Sequence, residues 1–154
     1  MNIQTYANLE DLPASAPIRI ARLLEIEGVD IQSEVQLAQC IGAGLLPGAV
    51  TALTEVLGRS RVVGPVISEA TFRRARKANK RLSRKMSERL YEVGRVVDAV
   101  GRAYHGDREA IDTFLNRPHP LLDGQTPFDM ARSSSAGADA VLHLLRRAEA
   151  SVAL

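Results

Sequence analysis

The stretch SRKMSERLYEVGRVVDAVGRAYHG, Ser83 to Gly106, decides the fold class. Met86, Leu90, Val93, Val97, Val100 and Tyr104 recur in it at four-three-four-three-four spacing. At 3.6 residues per turn this keeps one apolar seam in register for about five helical turns. The stretch therefore reads as one long helix, the central beam of the chain, ended by Gly106. A short heptad run of this kind fills an intramolecular core or part of a homodimer surface, and the core reading is preferred.

Upstream of the beam the chain reads as short helices. Met1 to Ala14 show no sustained period and include Pro13, which makes them a loose N-terminal segment. Ser15-Ala16-Pro17 marks a helix start, and Ile20, Leu23 and Leu24 form a stripe that stops at Gly28. Ser33 with Gln36 three residues on fits a capping box, after which Val35, Ala38 and Ile41 share one face as far as Gly42-Ala43-Gly44. A third helix from Pro47 turns Val50, Leu53, Thr54 and Leu57 inward and ends at Gly58. Arg59 to Ile67 holds the one β-branched cluster; Gly64-Pro65 at its centre favours an extended connector over a short strand. Ser68 then caps a helix to about Asn79, with Phe72 and Ala75 inward and Arg73, Arg74, Arg76, Lys77 and Lys80 crowding the other sides.

Downstream, Asp107 caps a short helix carrying Ala110, Ile111, Phe114 and Leu115. It delivers the chain to Asn116 to Phe128, NRPHPLLDGQTPF. Pro118 and Pro120 fix their own φ and push Arg117 and His119 out of the α region, so this loop is extended and stiff. Asp123-Gly124 supplies a turn, and Thr126-Pro127 an N-cap with proline at the first helical position. A brief helix to about Arg132, anchored by Phe128 and Met130-Ala131, is interrupted by Ser133-Ser134-Ser135 and Gly137. A final helix from about Ala136 to Glu149 places Ala138, Val141, Leu142, Leu145 and Ala148 on one face, flanked by His143, Arg146 and Arg147. Ala150 to Leu154 carry no stop signal and read as a frayed tail.

Composition bounds what such a chain does. Its 154 residues, 45% apolar and 25% charged, suit one ordinary globular domain or two small ones sharing a core. No run approaches the roughly eighteen apolar residues of a membrane span, and Met-Asn-Ile-Gln-Thr-Tyr lacks the features of a signal peptide, so a cytoplasmic location is expected. The single cysteine, Cys40, excludes an internal disulfide and reads as a packed thiol. The net charge of +2 conceals an asymmetry. Arg59 to Arg89 holds eleven Lys/Arg against two acids, a local +9, leaving nine bases against sixteen acids, −7, elsewhere. Such a block is a solvated helix face or the footprint of a polyanion such as DNA. With Pro47 to Leu57 as a supporting helix, the basic helix makes a helix-turn-helix candidate, although about ten residues stand where that motif has a turn of three or four. An aromatic content of 4% offers no stacking platform for single strands.

Catalytic signatures are lacking. His105, His119 and His143 are separated by helix boundaries and match no metal-binding spacing. Gly42-Ala43-Gly44 lacks the third glycine and the preceding strand of a dinucleotide site, and no nucleophile elbow or paired-carboxylate pattern occurs. The expectation is a protein with no cofactor and no enzymatic activity.

Asn116, Pro118, Pro120, Leu121, Gly124, Thr126, Pro127, Gly137, Ala138, Val141, Leu144, Leu145 and Arg147 follow a turn, small helix, Gly-Ala pair and leucine-bearing final helix. This pattern resembles the toxin-binding domain of the MbcA/ParS/Xre antitoxin family. More weakly, Leu53 to Gly58, Ser68 to Arg74 and Leu82-Ser83 resemble the Xre-type helix-turn-helix region of the same proteins, from which the chain departs over Arg59 to Ile67. The resemblance implies an all-α chain of an N-terminal helical segment (1–46), a degenerate Xre-like region with the long helix (47–106) and a small toxin-binding domain (107–154). It implies an antitoxin that blocks the active site of an NAD-using RES-domain toxin, autoregulates its operon and forms a homodimer within a larger complex. Toxin contacts are then expected from Arg117, His119, Asp123, Arg146, Arg147, Glu149, Ser151 and Leu154, and DNA contacts from Arg73, Arg74, Arg76, Lys77 and Lys80. Either Glu149 to Leu154 enter the toxin's NAD pocket, the terminal carboxylate included, or the tail is disordered and inhibition comes from helix and loop packing. The alternative function is a helical DNA-binding repressor whose C-terminus only dimerises.

Overall fold

The computed structural model describes residues 1–28 and 30–152, among which there are nine α-helices and no strand, and 71% of these residues are helical, 3-10 turns included. The α-helices are α1 (Ala16–Leu23), α2 (Glu34–Ala43), α3 (Gly48–Leu57), α4 (Arg59–Val62), α5 (Glu69–Ala78), α6 (Arg84–Ala103), α7 (Arg108–Asn116), α8 (Pro127–Ser133) and α9 (Ser135–Val152). Three 3-10 turns, Ile3–Ala7, Leu9–Asp11 and Pro120–Leu122, complete the set. Helix starts follow the caps read from the sequence: Ser33, Ser68, Ser83, Asp107 and Thr126 accept from the N–H groups of Gln36, Thr71, Met86, Ala110 and Asp129. The Gln36 amide reaches back one residue beyond the usual box, taking the Gln32 N–H at 2.7 Å.

The α6 seam is filled from within the chain. Leu90, Val93, Val97 and Val100 are at most 1% exposed, and α6 packs against α1, α2, α8, α9 and the Ile3–Ala7 turn. A second buried face, invisible as hydrophobicity, is built from Ser87, Gly94, Asp98 and Gly101. Ser87 Oγ accepts from Leu45 N–H at 2.8 Å and donates to Ser83 O. A Cβ on Gly94 would stand 3.3 Å from Leu24, and one on Gly101 3.0 Å from the Tyr6 ring, so these glycines let neighbouring elements approach α6 closely.

Asp98 joins the N-terminus to this face. Its carboxylate accepts from Tyr6 OH at 2.9 Å and from Arg19 Nε at 3.0 Å, while Arg19 Nη1 donates to the carbonyls of Pro13 and Ala14. Both charges are 3% exposed. The first fourteen residues are thus not loose: Ile3 and Tyr6 are core residues, held by a buried ion pair. Turns this short carry no amphipathic period, which is why the segment reads as unstructured.

Three further expectations change. In α2 the inward residues are Leu37 and Ile41, while Val35 is 66% exposed and Ala38 also faces out. In α9 Ala148 is exposed and Leu144 is buried. The connector at 59–67 begins as a helical turn, α4, and then folds back, Gly64 N–H donating to Ile67 O at 2.7 Å, with Val62, Val66 and Ile67 buried. Its β-branched side chains plug the core without pairing into a sheet.

Candidate functional site

The loop after α7 is closed on itself. Arg117 and His119 are extended, as their prolines require. His119 Nδ1 accepts from Leu121 N–H at 3.1 Å, and His119 O accepts from Leu122 N–H and Gly124 N–H, each at 3.0 Å. His119 N–H donates to Gln125 O at 3.1 Å, and Asp123 and Gly124 turn the chain in the left-handed region at φ 53° and 77°. This bonding sorts two adjacent leucines: Leu122 is 5% exposed in a turn that packs on α9, whereas Leu121 stands 59% exposed.

The crossing of α8 and α9 fixes the second part of the surface. Gly137 lies so close to α8 that a Cβ there would stand 2.1 Å from Met130 O. Ser134 caps α9, its Oγ accepting from Gly137 N–H at 2.9 Å. Ala138, Val141, Leu144 and Leu145 turn to the core, which leaves Asp139, His143, Arg146 and Arg147 outward. Arg95 of α6 grips Asp139 at 2.6 Å, and this hydrogen bond, with the guanidinium charge, holds the Asp139 carboxyl below its ordinary range.

Of the sequence-based contact residues, Arg117 and Asp123 are exposed on the loop, and Arg146, Arg147, Glu149 and Ser151 on the last turns of α9. The His119 imidazole is engaged inside the loop as its cap. Leu154 lies outside the described residues. Leu121 was not among the contact candidates; the signal available was two consecutive leucines in a tight turn, which cannot both face the core.

Helix α5 holds Arg73, Arg74, Arg76 and Lys77, with Lys80 just beyond, all exposed. Its buried anchor is Phe72, over whose ring the guanidinium groups of Arg76 and Arg59 lie at 5.9 and 6.0 Å. Two arginines tie the turn before α5 to the rest of the molecule: Arg89 donates to Val66 O and Arg132 to Pro65 O, each at 3.2 Å. Among the described residues no three His, Cys, Asp or Glu side chains converge as a metal site, and no single helix is long and apolar enough to cross a membrane.

A stiff turn, a tight helix crossing and an outward helix face bearing Arg146 and Arg147 make up the C-terminal helical segment of the fold. Residues 100–150, a third of the chain, match the model of the antitoxin Xre/MbcA/ParS C-terminal toxin-binding domain, and this segment is similar to that domain. The match takes in the end of α6, α7, the loop, α8 and α9 to Ala150. No curated protein matches the chain.

Proposed function

We propose that this protein is the antitoxin of a toxin-antitoxin pair whose toxin is a cytoplasmic, NAD-using RES-domain enzyme, and that it acts without catalysis by covering the toxin's active site. The observation that carries this reading is the C-terminal surface: a self-bonded loop displaying Leu121, beside a helix displaying Arg146 and Arg147. A pre-ordered loop costs little entropy on binding, and outward guanidinium groups suit a cleft that normally takes an anionic dinucleotide. Arg117, Asp123, Glu149 and Ser151 extend this surface, and His119 contributes through the loop it shapes. Co-expression with the protein encoded beside this gene tests the proposal: growth arrest is expected to be relieved, and continued arrest overturns it. The charge-reversed Arg146→Glu/Arg147→Glu chain should fold normally and bind that toxin at least about tenfold more weakly. Removing residues 151–154 separates a tail that enters the toxin from one that does not, since unchanged neutralisation sinks the former.

A second activity, binding of operator DNA and autoregulation by a homodimer, is favoured by one feature. Helix α5 presents four exposed cations, with Lys80 just beyond it, and few acids near them. Affinity for the gene's own promoter should fall steeply with salt, and Arg74→Glu/Lys77→Glu should flatten that dependence. Absence of binding at low salt excludes repression by the protein alone.

A further inference from the structure

A cleft of about 480 Å³ lies where α2, the first turns of α6 and the α8–α9 junction meet, away from the loop and the last turns of α9. Its size falls within the range of roughly 300–1,000 Å³ typical of small-molecule sites. Four cations line it, Arg84, Lys85, Arg89 and Arg132, against two carboxylates, Glu88 and Glu92. Glu92 is already taken by Arg95 at 2.6 Å, and Glu88 pairs with Arg84 only in an exposed contact that solvent screens. Lys85 forms no ion pair among the described residues. Arg89 and Arg132 are half-buried, and their hydrogen bonds to the carbonyls of Val66 and Pro65 hold these guanidinium groups in place; Arg132 also pairs with Asp129 at 2.9 Å, in a partly exposed contact that solvent screens.

The rest of the lining is of another kind. Ile41 and Ala131 supply apolar surface, and Tyr91 supplies a half-buried ring with the Arg95 guanidinium 5.9 Å from its centre. Ser133 and Ser135 also line it, the Ser133 hydroxyl donating to Met130 O. Clustered cations favour a phosphate ester, and a tyrosine ring on an apolar wall favours a flat aromatic body.

We propose that this cleft binds a mononucleotide-class ligand, its phosphate between Arg84, Lys85, Arg89 and Arg132 and its planar base against Tyr91. Because α2 and the α8–α9 junction form its two sides, the bound ligand braces the N-terminal helices against the C-terminal unit. The assignment is independent of the toxin-binding reading.

Calorimetric titration of the full chain at low ionic strength with AMP, adenosine and inorganic phosphate tests it. AMP is expected to bind one site saturably and more tightly than either fragment. Arg84→Ala/Lys85→Ala, at exposed positions that fold without them, should weaken AMP by about tenfold or more, as loss of charge-assisted bonds requires. Arg74→Ala/Lys77→Ala on α5 should leave it unchanged. Lack of saturable AMP binding overturns the proposal. So does phosphate binding as tightly as AMP, or equal weakening by the α5 variant, which would place the anion on the basic helix.

Discussion

Asp98 lies in α6 outside its apolar seam, and it is among the most buried charges in the molecule. Its partners lie 79 and 92 positions away, at Arg19 and Tyr6, a separation that no local pattern reports. Replacing Asp98 with Ala strands the Arg19 guanidinium in the core and should lower stability by about 3–5 kcal/mol in denaturant titration. Breaking the exposed Arg84–Glu88 pair should change it by less than about 0.5 kcal/mol. Burial, then the Asp98 charge and hydrogen bond, raise the Tyr6 hydroxyl well above its ordinary value of 10.0. A group with a raised folded pKa contributes its full stability below the unfolded value and loses it as pH climbs past that value. Stability should therefore fall above pH 10.0, and Tyr6→Phe should diminish that fall, as read by thermal melts at alkaline pH. Tyr91, also raised chiefly by burial, adds a smaller decline of the same sign that Tyr6→Phe leaves in place.

Most helix starts were legible because they have a local chemical cause, a serine, threonine or aspartate accepting a backbone N–H, or a proline in the first turn; α4, which follows Gly58 with no side-chain cap, has none and was not legible. Which face turns inward was less so. In α2, Val35 and Leu37 are both apolar and lie about 200° apart around the helix, so periodicity cannot choose between them until α6 is in place. Glycines divide on the same ground. Gly42, in α2, has nothing within 4 Å of where a Cβ would stand, so Gly42→Ala should stabilise the fold by about 0.5–1 kcal/mol through helix propensity. Gly137 meets the Met130 carbonyl, and Gly137→Ala should force α8 and α9 apart at a cost of about 1–3 kcal/mol. Thermal unfolding of the two variants should move in opposite directions, and the Gly137 variant should also bind its toxin partner more weakly.

In the whole molecule α6 touches both ends of the chain, α1 and the Ile3–Ala7 turn on one side, α8 and α9 on another. Elements that share one central helix melt with it, so circular dichroism and tyrosine fluorescence should trace a single coincident transition. Two midpoints would instead favour 1–46 and 107–154 as independently folding parts. The amino-acid sequence alone determined that the chain is all-α, where most helices start, that its middle is basic, and that its C-terminal segment matches a toxin-binding pattern. Those properties follow from side chains acting on neighbours within a few residues. Only the tertiary structure decided that the N-terminus is anchored, that Gly94, Gly101 and Gly137 are contact points, that Leu121 is displayed while Leu122 is buried, and that cations from α6 and α8 share one cleft. These depend on which distant surfaces meet, and close packing excludes alternatives that local propensity leaves equal.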